Sequence, residues 1–421
     1  MSLVMRWVAE DELDKVAETR LLCYGAGRND LQRMRDMLRD DRRAQAGDYL
    51  LAERDGRPVG TATSLSLTMY IRGSAFPCQG VSWVGAIRTE RRKAASINTQ
   101  RSAPGGPPSR GVASSIMSEV LRAARDRQHV LTTLMPFRTS FYEHFGYGPV
   151  ERRCEWTVPL SILPAGDFDG MHILELGDRP AVIDCQHRMA HRGQCDFARM
   201  PEAWDQYLAD ADAGFFMVDR PDPAGPVEGW LNLRFQDLNG RSVVRVVDQA
   251  YDTPGALLRQ LHFLASLRDQ YSAAILTMPA DVPLNMLLSE HQVPHRPVSH
   301  AAAEMRSHNR MQIRILDHRR LLDGLHVPDS YRGQAVVAVH ECEGAISRFL
   351  LEIADGSLCA TPTDASPDVQ CPDRVWAAIV SGEMPSTSAA QLGLVEVTNE
   401  HALQTLRAFS DGPLPFCRDY F

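Results

Sequence analysis

The feature that most constrains this chain is an anion-binding pattern that an insertion divides into two halves. An apolar, strand-like run at 81–87 is followed by three basic residues at 91–93, and Gly111 opens a helix farther along the chain. Basic residues, a glycine and a helix N-terminus together are typical of a pyrophosphate site, because backbone N–H groups and the positive end of the helix dipole point at the anion. The pattern predicts a pyrophosphate site that residues 94–110 interrupt.

Two arrangements of this divided loop remain open. If Lys93 lies next to Gly111, the basic triplet contacts the anion and residues 94–110 project outward. Alternatively, Ser109, Arg110 and Gly111 form the anion site alone. The Pro, Gly and Ser content of the insertion indicates an exposed loop, and a long loop costs little more closure entropy than a short one. We therefore expect the fold to tolerate the insertion, whereas affinity for the ligand depends on the arrangement.

The order of elements in the first 160 residues predicts a mixed α/β fold. A strand and two helices precede three antiparallel strands, and then come a helix, a strand, a short helix and a strand. Asp55-Gly56 between two strand-like runs is a strong hairpin signal. Val112, Ile116 and Val120 form an apolar stripe on the helix after the insertion. This order resembles that of a GCN5-related N-acetyltransferase (GNAT) domain.

The length of 421 residues predicts more than one domain. Pro164-Ala165-Gly166 and the acidic stretch that follows indicate a linker, and a third region begins near Met311. We expect domains over residues 1–160, 161–306 and 307–421.

Composition and charge argue against several classes of partner. The formal net charge of -8 argues against nucleic acid, which is bound by basic surfaces. Nine cysteines without paired spacing indicate reduced thiols and a cytoplasmic protein, and no apolar run reaches the length of a membrane span. Gly193 interrupts the helical spacing of a possible zinc set, so we expect no metal there; that set is Cys185, His187, His191 and Cys195.

Residues 81–87 have two interpretations. In an enzyme that uses acetyl-CoA, the pantetheine arm pairs with such a strand edge, and a backbone N–H polarises the thioester carbonyl. Gly85 would then allow close backbone approach. The alternative is a plain core strand, but the basic triplet and the glycine-led helix favour the first. The predicted coenzyme contacts are Val84, Gly85, Ala86, Arg91, Arg92, Lys93, Arg110, Gly111 and Val112.

The cluster Phe-Tyr-Glu-His-Phe-Gly-Tyr-Gly at 141–148 follows a strand predicted to lie beside the coenzyme strand. The phenol of Tyr142 could therefore reach the leaving sulfur. A phenol with a pKa near 10 is a competent acid for a thiolate. The alternative is that Tyr142 and Tyr147 are amphipathic core aromatics.

Taken together, these motifs resemble the enhanced intracellular survival (Eis) family of GNAT acetyltransferases. The C-terminal stretch Cys-Ala-Thr-Pro-Thr-Asp-Ala at 359–365 and the aromatic residue closing the chain extend the resemblance over essentially its whole length. The resemblance implies an N-terminal GNAT domain, a second degenerate GNAT-like domain and a C-terminal domain like sterol carrier protein. It also implies a homohexamer that uses acetyl-CoA.

The resemblance assigns roles to two residues. Tyr142 is implied to protonate the coenzyme A thiolate, and the α-carboxylate of Phe421 to act as general base on the acceptor amine. The tail 413–421 is apolar and aromatic to its end, and desolvation would raise the pKa of a carboxylate delivered there. A tail buried merely for packing is the alternative.

The hypothesis we favour is an acetyl-CoA-dependent N-acetyltransferase acting on a primary amine of a small molecule or peptide. Aminoglycosides and polyamines are possible acceptors, although Tyr420 beside the terminal carboxylate gives no support for a strong aminoglycoside preference. One alternative is a non-catalytic ligand-binding or sensing protein whose coenzyme site the 94–110 insertion impairs. Another is a lipid carrier built on the C-terminal domain.

Overall fold

The computed structural model describes residues 3–25, 30–41, 43–90, 111–210, 215–293, 295–297 and 300–421. The first part of the chain follows the predicted order of elements. Its strands are β1 Leu3–Trp7, β2 Tyr49–Arg54, β3 Arg57–Ile71, β4 Ser74–Ala86, β5 Leu131–Leu134, β6 Gly148–Pro149 and β7 Arg152–Pro159. Its helices are α1 Leu13–Tyr24, α2 Asp30–Asp40, α3 Val112–Asp126 and α4 Thr139–Glu143.

The middle part alternates strands and helices. The strands are β8 Met171–Ile173, β9 Gln194–Phe197, β10 Phe215–Asp219, β11 Gly229–Leu238, β12 Arg241–Tyr251, β13 Ala273–Pro279 and β14 Glu304–Asn309. The helices are α5 Arg179–Arg192, α6 Pro201–Asp210 and α7 Pro254–Ser266.

The last part begins with a strand that returns to the first sheet. The strands are β15 Gln312–Ile315, β16 Gly333–His340, β17 Ile346–Ala354, β18 Ser357–Pro362, β19 Val369–Pro372 and β20 Glu396–Val397. The helices are α8 His318–Asp323, α9 Asp373–Val380, α10 Ser386–Gln391 and α11 Glu400–Leu406.

Three sheets form among the described residues. The first has the strand order β1-β2-β3-β4-β5-β15-β6, and β9 pairs with β3 beside it. The second has the order β14-β7-β13-β12-β11-β10-β8, and the third β18-β17-β16-β19-β20. Strand β7 therefore belongs to the second sheet, although it follows strands of the first sheet in sequence. Strands β9 and β15 belong to the first sheet, although each follows a strand of the second. The domain limits 1–160, 161–306 and 307–421 stay a prediction, and the sheets cross them at these strands.

The hairpin between β2 and β3 confirms the turn predicted at Asp55-Gly56. Both residues are left-handed, with φ of 51° and 72°, and this is the conformation that a two-residue turn of matching twist requires. Beyond the turn, the apolar residues of β3 fill the core beneath the sheet. One core cluster continues from this sheet into the C-terminal layer, joining Leu65 and Met69 to Val337 and Trp376.

Candidate active site

The site begins at a β-bulge in β4. The β3–β4 register shifts between Thr61 and Thr63, and Trp83 on the facing strand has a φ of 54°. A positive φ is uncommon for a bulky residue, and bulges are frequent beside functional sites because they bend a strand. Parallel pairing between β4 and β5 ends at Val81 and Leu134. The two strands thus separate where β4 bends.

Tyr142 faces the opening between these strands from helix α4. Its side chain is buried, with 4% of the residue exposed, and its ring packs edge-on against Phe137 and Phe141 at centroid distances of 5.7 and 5.0 Å. Burial raises the pKa of Tyr142 above the usual range of a phenol, because the phenolate would lose its hydration. The phenol therefore carries its proton at neutral pH.

The C-terminal residues reach the same place from the opposite end of the chain. Phe421 is buried, and its ring meets the edge of Phe197 at 5.3 Å. The ring also lies against Gly80 of β4, where an added Cβ would be 3.0 Å from Phe421 Cδ2. The tail is thus packed directly onto the first sheet.

Three polar side chains from two parts of the chain hold the backbone of this tail. Glu151 accepts a hydrogen bond from the N–H of Cys417 at 3.0 Å, and Arg153 donates to the Cys417 carbonyl at 2.8 Å. Arg310 donates to the carbonyl of Asp419 at 2.7 Å. Because Glu151 and Arg153 are themselves buried, the end of the chain is fixed in position.

One cavity of about 400 Å³ brings together three of the predicted site residues, Val84, Tyr142 and Phe421. It also includes residues that the sequence analysis did not select, among them Arg20 and Trp83. No motif marks an arginine on a helix face, so the sequence offered no signal for Arg20. A cavity of this size suits a small ligand.

The two other predicted coenzyme contacts on β4, Gly85 and Ala86, are buried. An added Cβ at Gly85 would lie 2.9 Å from the Tyr24 ring and 3.0 Å from Cys23 Cβ, so helix α1 makes the close approach at this glycine. The hydroxyl of Tyr24 donates to the Val84 carbonyl, and Ala86 is buried.

At the other side of the coenzyme pattern, Gly111 is the N-cap residue of α3, and no heavy atom of the described residues lies within 4 Å of the position of an added Cβ. The Val112 side chain is buried against Gly60, so only its backbone can face an anion. Four further predicted contacts lie outside the described residues, namely Arg91, Arg92, Lys93 and Arg110.

The four residues that could have formed a zinc site in the sequence take part in other contacts. Cys185 and Cys195 are buried, and the His191 ring packs on Tyr70 at 5.3 Å. Among the described residues, no group of three or more His, Cys, Asp and Glu side chains has the spacing to hold a metal ion. In the same parts of the chain, none of the helices combines the length and the hydropathy that a membrane span requires.

Comparison with known proteins gives matches over nearly the whole chain. Residues 5–150 and 196–315 match two family models that are both described as acetyltransferase (GNAT) domains. An uncharacterized N-acetyltransferase of Streptomyces avermitilis is 25% identical over 413 residues, covering 90% of this chain and 91% of the relative. The N-acetyltransferase Eis of Mycobacterium tuberculosis is 22% identical over 376 residues, covering 85% of this chain and 84% of Eis.

Solved structures give the same fold. A GCN5-related N-acetyltransferase from Anabaena variabilis aligns with a TM-score of 0.83 at 16% identity, covering 100% of both chains. Eis1 from Mycobacterium abscessus aligns with a TM-score of 0.77 at 18% identity, again covering 100% of both chains.

The fold and these matches define the class of the protein, which is an acetyltransferase with two GNAT domains. Within that class the chain is an N-acetyltransferase related to Eis, and this confirms the resemblance seen in the sequence.

Proposed function

We propose that this protein transfers the acetyl group of acetyl-CoA to a primary amine of a small molecule or peptide bound in the cavity of about 400 Å³. The observation that carries the proposal is that Val84, Tyr142 and Phe421 line one cavity where β4 and β5 separate. A buried acid, a strand edge and a chain terminus then surround one reaction space.

The N-terminus of α3 fits the phosphates of the coenzyme. This helix has 15 residues, and its first turn carries no acidic side chain that would repel an anion. Its dipole and free N–H groups favour a phosphate beside Gly111. In the proposal, the basic residues Arg91, Arg92, Lys93 and Arg110 add charge at the same end of the helix.

Tyr142 is proposed to supply the proton to the leaving sulfur. Acetyl-CoA provides the acetyl group, its C–S bond breaks, and coenzyme A departs as a thiol. The burial that raises the pKa of Tyr142 would also raise the pKa of a coenzyme A thiol formed beside it. The two pKa values therefore shift in the same direction, and proton transfer from the phenol to the sulfur stays favourable.

The Phe421 carboxylate is proposed to take a proton from the acceptor amine, directly or through water. Three arginines near the end of the chain pair with other acids: Arg418 with Asp196, Arg199 with Asp419, and Arg153 with Glu151. These three guanidinium groups are engaged by acids other than the terminal carboxylate, which supports its proposed role as a base.

The test of the acid is Tyr142→Phe, measured as thiol release from acetyl-CoA with a panel of amines. Loss of a general acid is expected to lower kcat by about 100-fold or more. Tyr147→Phe is the matched control, because Tyr147 is a buried neighbour at 6.2 Å whose hydroxyl is paired with Thr132 at 2.8 Å. Equal rates in wild type and Tyr142→Phe would contradict the role.

The test of the base is a variant with one glycine added after Phe421, which moves the carboxylate away from the ring. We expect kcat to fall while affinity for coenzyme A is kept. Phe421→Leu is the control, because it retains a terminal carboxylate at the same position. Full activity of the extended chain would contradict the role.

The alternative of a non-catalytic binding protein is not favoured, because the chain is an N-acetyltransferase by its matches. Calorimetry with coenzyme A, with and without residues 94–110, tests it directly. We expect binding in both proteins, and absence of binding in the full chain would support the alternative.

The proposal keeps three further expectations: a cytoplasmic location, a homohexamer, and a C-terminal domain over 307–421 like sterol carrier protein. The third sheet, with β16 between antiparallel β17 and parallel β19, supports a separate C-terminal layer. Light scattering tests the hexamer. In a lipid carrier, lipid would copurify and the glycine extension would have no effect.

A further inference from the structure

A buried arginine lines the cavity without an ion-pair partner among the described residues. Arg20 is 3% exposed, and its Nη2 donates to the Thr63 hydroxyl at 2.7 Å. Its guanidinium carbon lies 4.5 Å from the centroid of the Trp83 ring. Within the described part of the chain, its guanidinium contacts this hydroxyl and aromatic rings but forms no ion pair with a carboxylate, and its Nε has no hydrogen-bond partner.

The charge of Arg20 persists despite its burial. Burial lowers the pKa of Arg20 to about 10, so the side chain is still protonated at neutral pH. Asp41, whose charge reaches Arg20, is paired with Arg43 at 2.7 Å. A buried charge without a partner is costly, and a ligand that supplies the opposite charge removes that cost.

The neighbouring cavity is also rich in arginine. It measures about 520 Å³, shares Arg43 and Tyr420 with the first cavity, and is lined by four arginines and two aspartates. Both aspartates, Asp248 and Asp419, are engaged by Arg199. Among the described residues that line the two cavities, each aspartate is therefore paired with an arginine, and none is left to attract a polycation.

We infer that the acceptor of this enzyme carries a carboxylate as well as a primary amine, and that Arg20 binds this carboxylate. The inference rests on the proposed function, since it places the amine near the Phe421 carboxylate. The two ends of an amino acid or peptide would then meet opposite charges, with the amine at the chain terminus and the carboxylate at the guanidinium. Arg20 is a specificity-determining residue in this scheme.

The experiment compares acceptors that share an amine and differ only in the second group. Glycine, β-alanine and γ-aminobutyrate are each assayed against their carboxamides, with putrescine as the dicationic acceptor. At fixed acetyl-CoA, kcat/KM is expected to be at least about tenfold higher for the best carboxylate than for its amide, as a charge-assisted hydrogen bond implies.

Two variants assign the preference to Arg20. Arg20→Gln is expected to lower the ratio of kcat/KM for the carboxylate acceptor to kcat/KM for its amide by about tenfold. Because Arg20 is buried and a glutamine there could destabilise the helix, Arg20→Lys is the second variant, and it should restore part of the preference. Arg332→Gln is the control for removal of a positive charge, since this side chain is 69% exposed.

The outcomes separate the two proposals. Turnover of putrescine and amides with no preference for carboxylates overturns the inference and leaves the acetyltransferase proposal standing. A carboxylate preference that Arg20→Gln does not reduce also overturns the role of Arg20. Absence of turnover with every amine, together with absence of coenzyme A binding, is the result that overturns the proposed function instead.

Discussion

Asp196 binds Arg418 at two points, three residues before the C-terminal phenylalanine. One carboxylate oxygen accepts the backbone N–H of Arg418 at 2.9 Å, and the other accepts its guanidinium at 2.8 Å. Both side chains are buried, with 0% and 7% exposed. Asp196 belongs to β9, which is paired with β3, so this contact ties the chain terminus to the sheet that forms the cavity.

Asp196→Asn should therefore lower both stability and activity. The amide keeps the shape but leaves the Arg418 charge buried and unpaired, which typically costs about 3–5 kcal/mol. Thermal denaturation and kcat measure the two effects. Asp355→Asn is the control, because the Arg332–Asp355 pair is 69% and 75% exposed and such pairs contribute little. Unchanged melting and unchanged kcat in the Asp196 variant would disprove the anchoring role.

Gly80→Ala should displace the ring of Phe421. The added Cβ would lie 2.6 Å from Leu67 Cδ1 and 3.0 Å from Phe421 Cδ2, and overpacking of this kind costs about 1–3 kcal/mol. We expect kcat to fall more than the affinity for coenzyme A, measured by steady-state kinetics and calorimetry. Gly177→Ala is the control, since no heavy atom of the described residues lies within 4 Å of that position. Wild-type kinetics for Gly80→Ala would show that the ring position is unimportant.

Tyr142 should remain protonated through the alkaline range. Burial raises its pKa above the usual value near 10, so the phenol loses its proton only at higher pH than an exposed tyrosine. Ultraviolet titration of the folded protein is thus expected to give the same phenolate signal for wild type and Tyr142→Phe up to about pH 10. A larger signal from wild type below that pH would show that Tyr142 ionises early, contrary to its burial.

Thiol reactivity should divide the nine cysteines sharply. Seven are buried, whereas Cys342 and Cys359 are exposed. Desolvation also raises the pKa of Cys342 to about 12, so Cys359 should react first and Cys342 slowly. Titration with a disulfide reagent is expected to show this order in folded protein and all nine thiols after unfolding. Cys359→Ser should remove the fast phase, and persistence of that phase would contradict the assignment.

Local patterns were sufficient for much of the fold. Helix α2, at Asp30–Asp40, and strand β17, at Ile346–Ala354, each show an apolar periodicity that can be recognised in the sequence alone. The hairpin at Asp55-Gly56 needs only its two residues.

Two strands that the sequence does not mark, β9 and β15, have partners far away in the chain. Strands β9 and β15 have four residues each and carry buried charges, Asp196 and Arg314, which hide the pattern of a core strand. Their counter-charges are Arg418 and Glu343, which only the folded chain brings near. The same reason explains why Arg20 escaped prediction, since its surroundings come from β3 and β4.

The first sheet has a consequence for how this protein is made. Its strands span positions 3 to 315, with β9 beside β3 and β15 between β5 and β6. A ribosome that has completed the first 160 residues has therefore produced a sheet with an open edge at β5, and open edges recruit other chains. Pairings of such long range are also slow to form. Nascent chains should thus depend on protection from aggregation until β15 emerges, and residues 1–160 expressed alone would lack this cover.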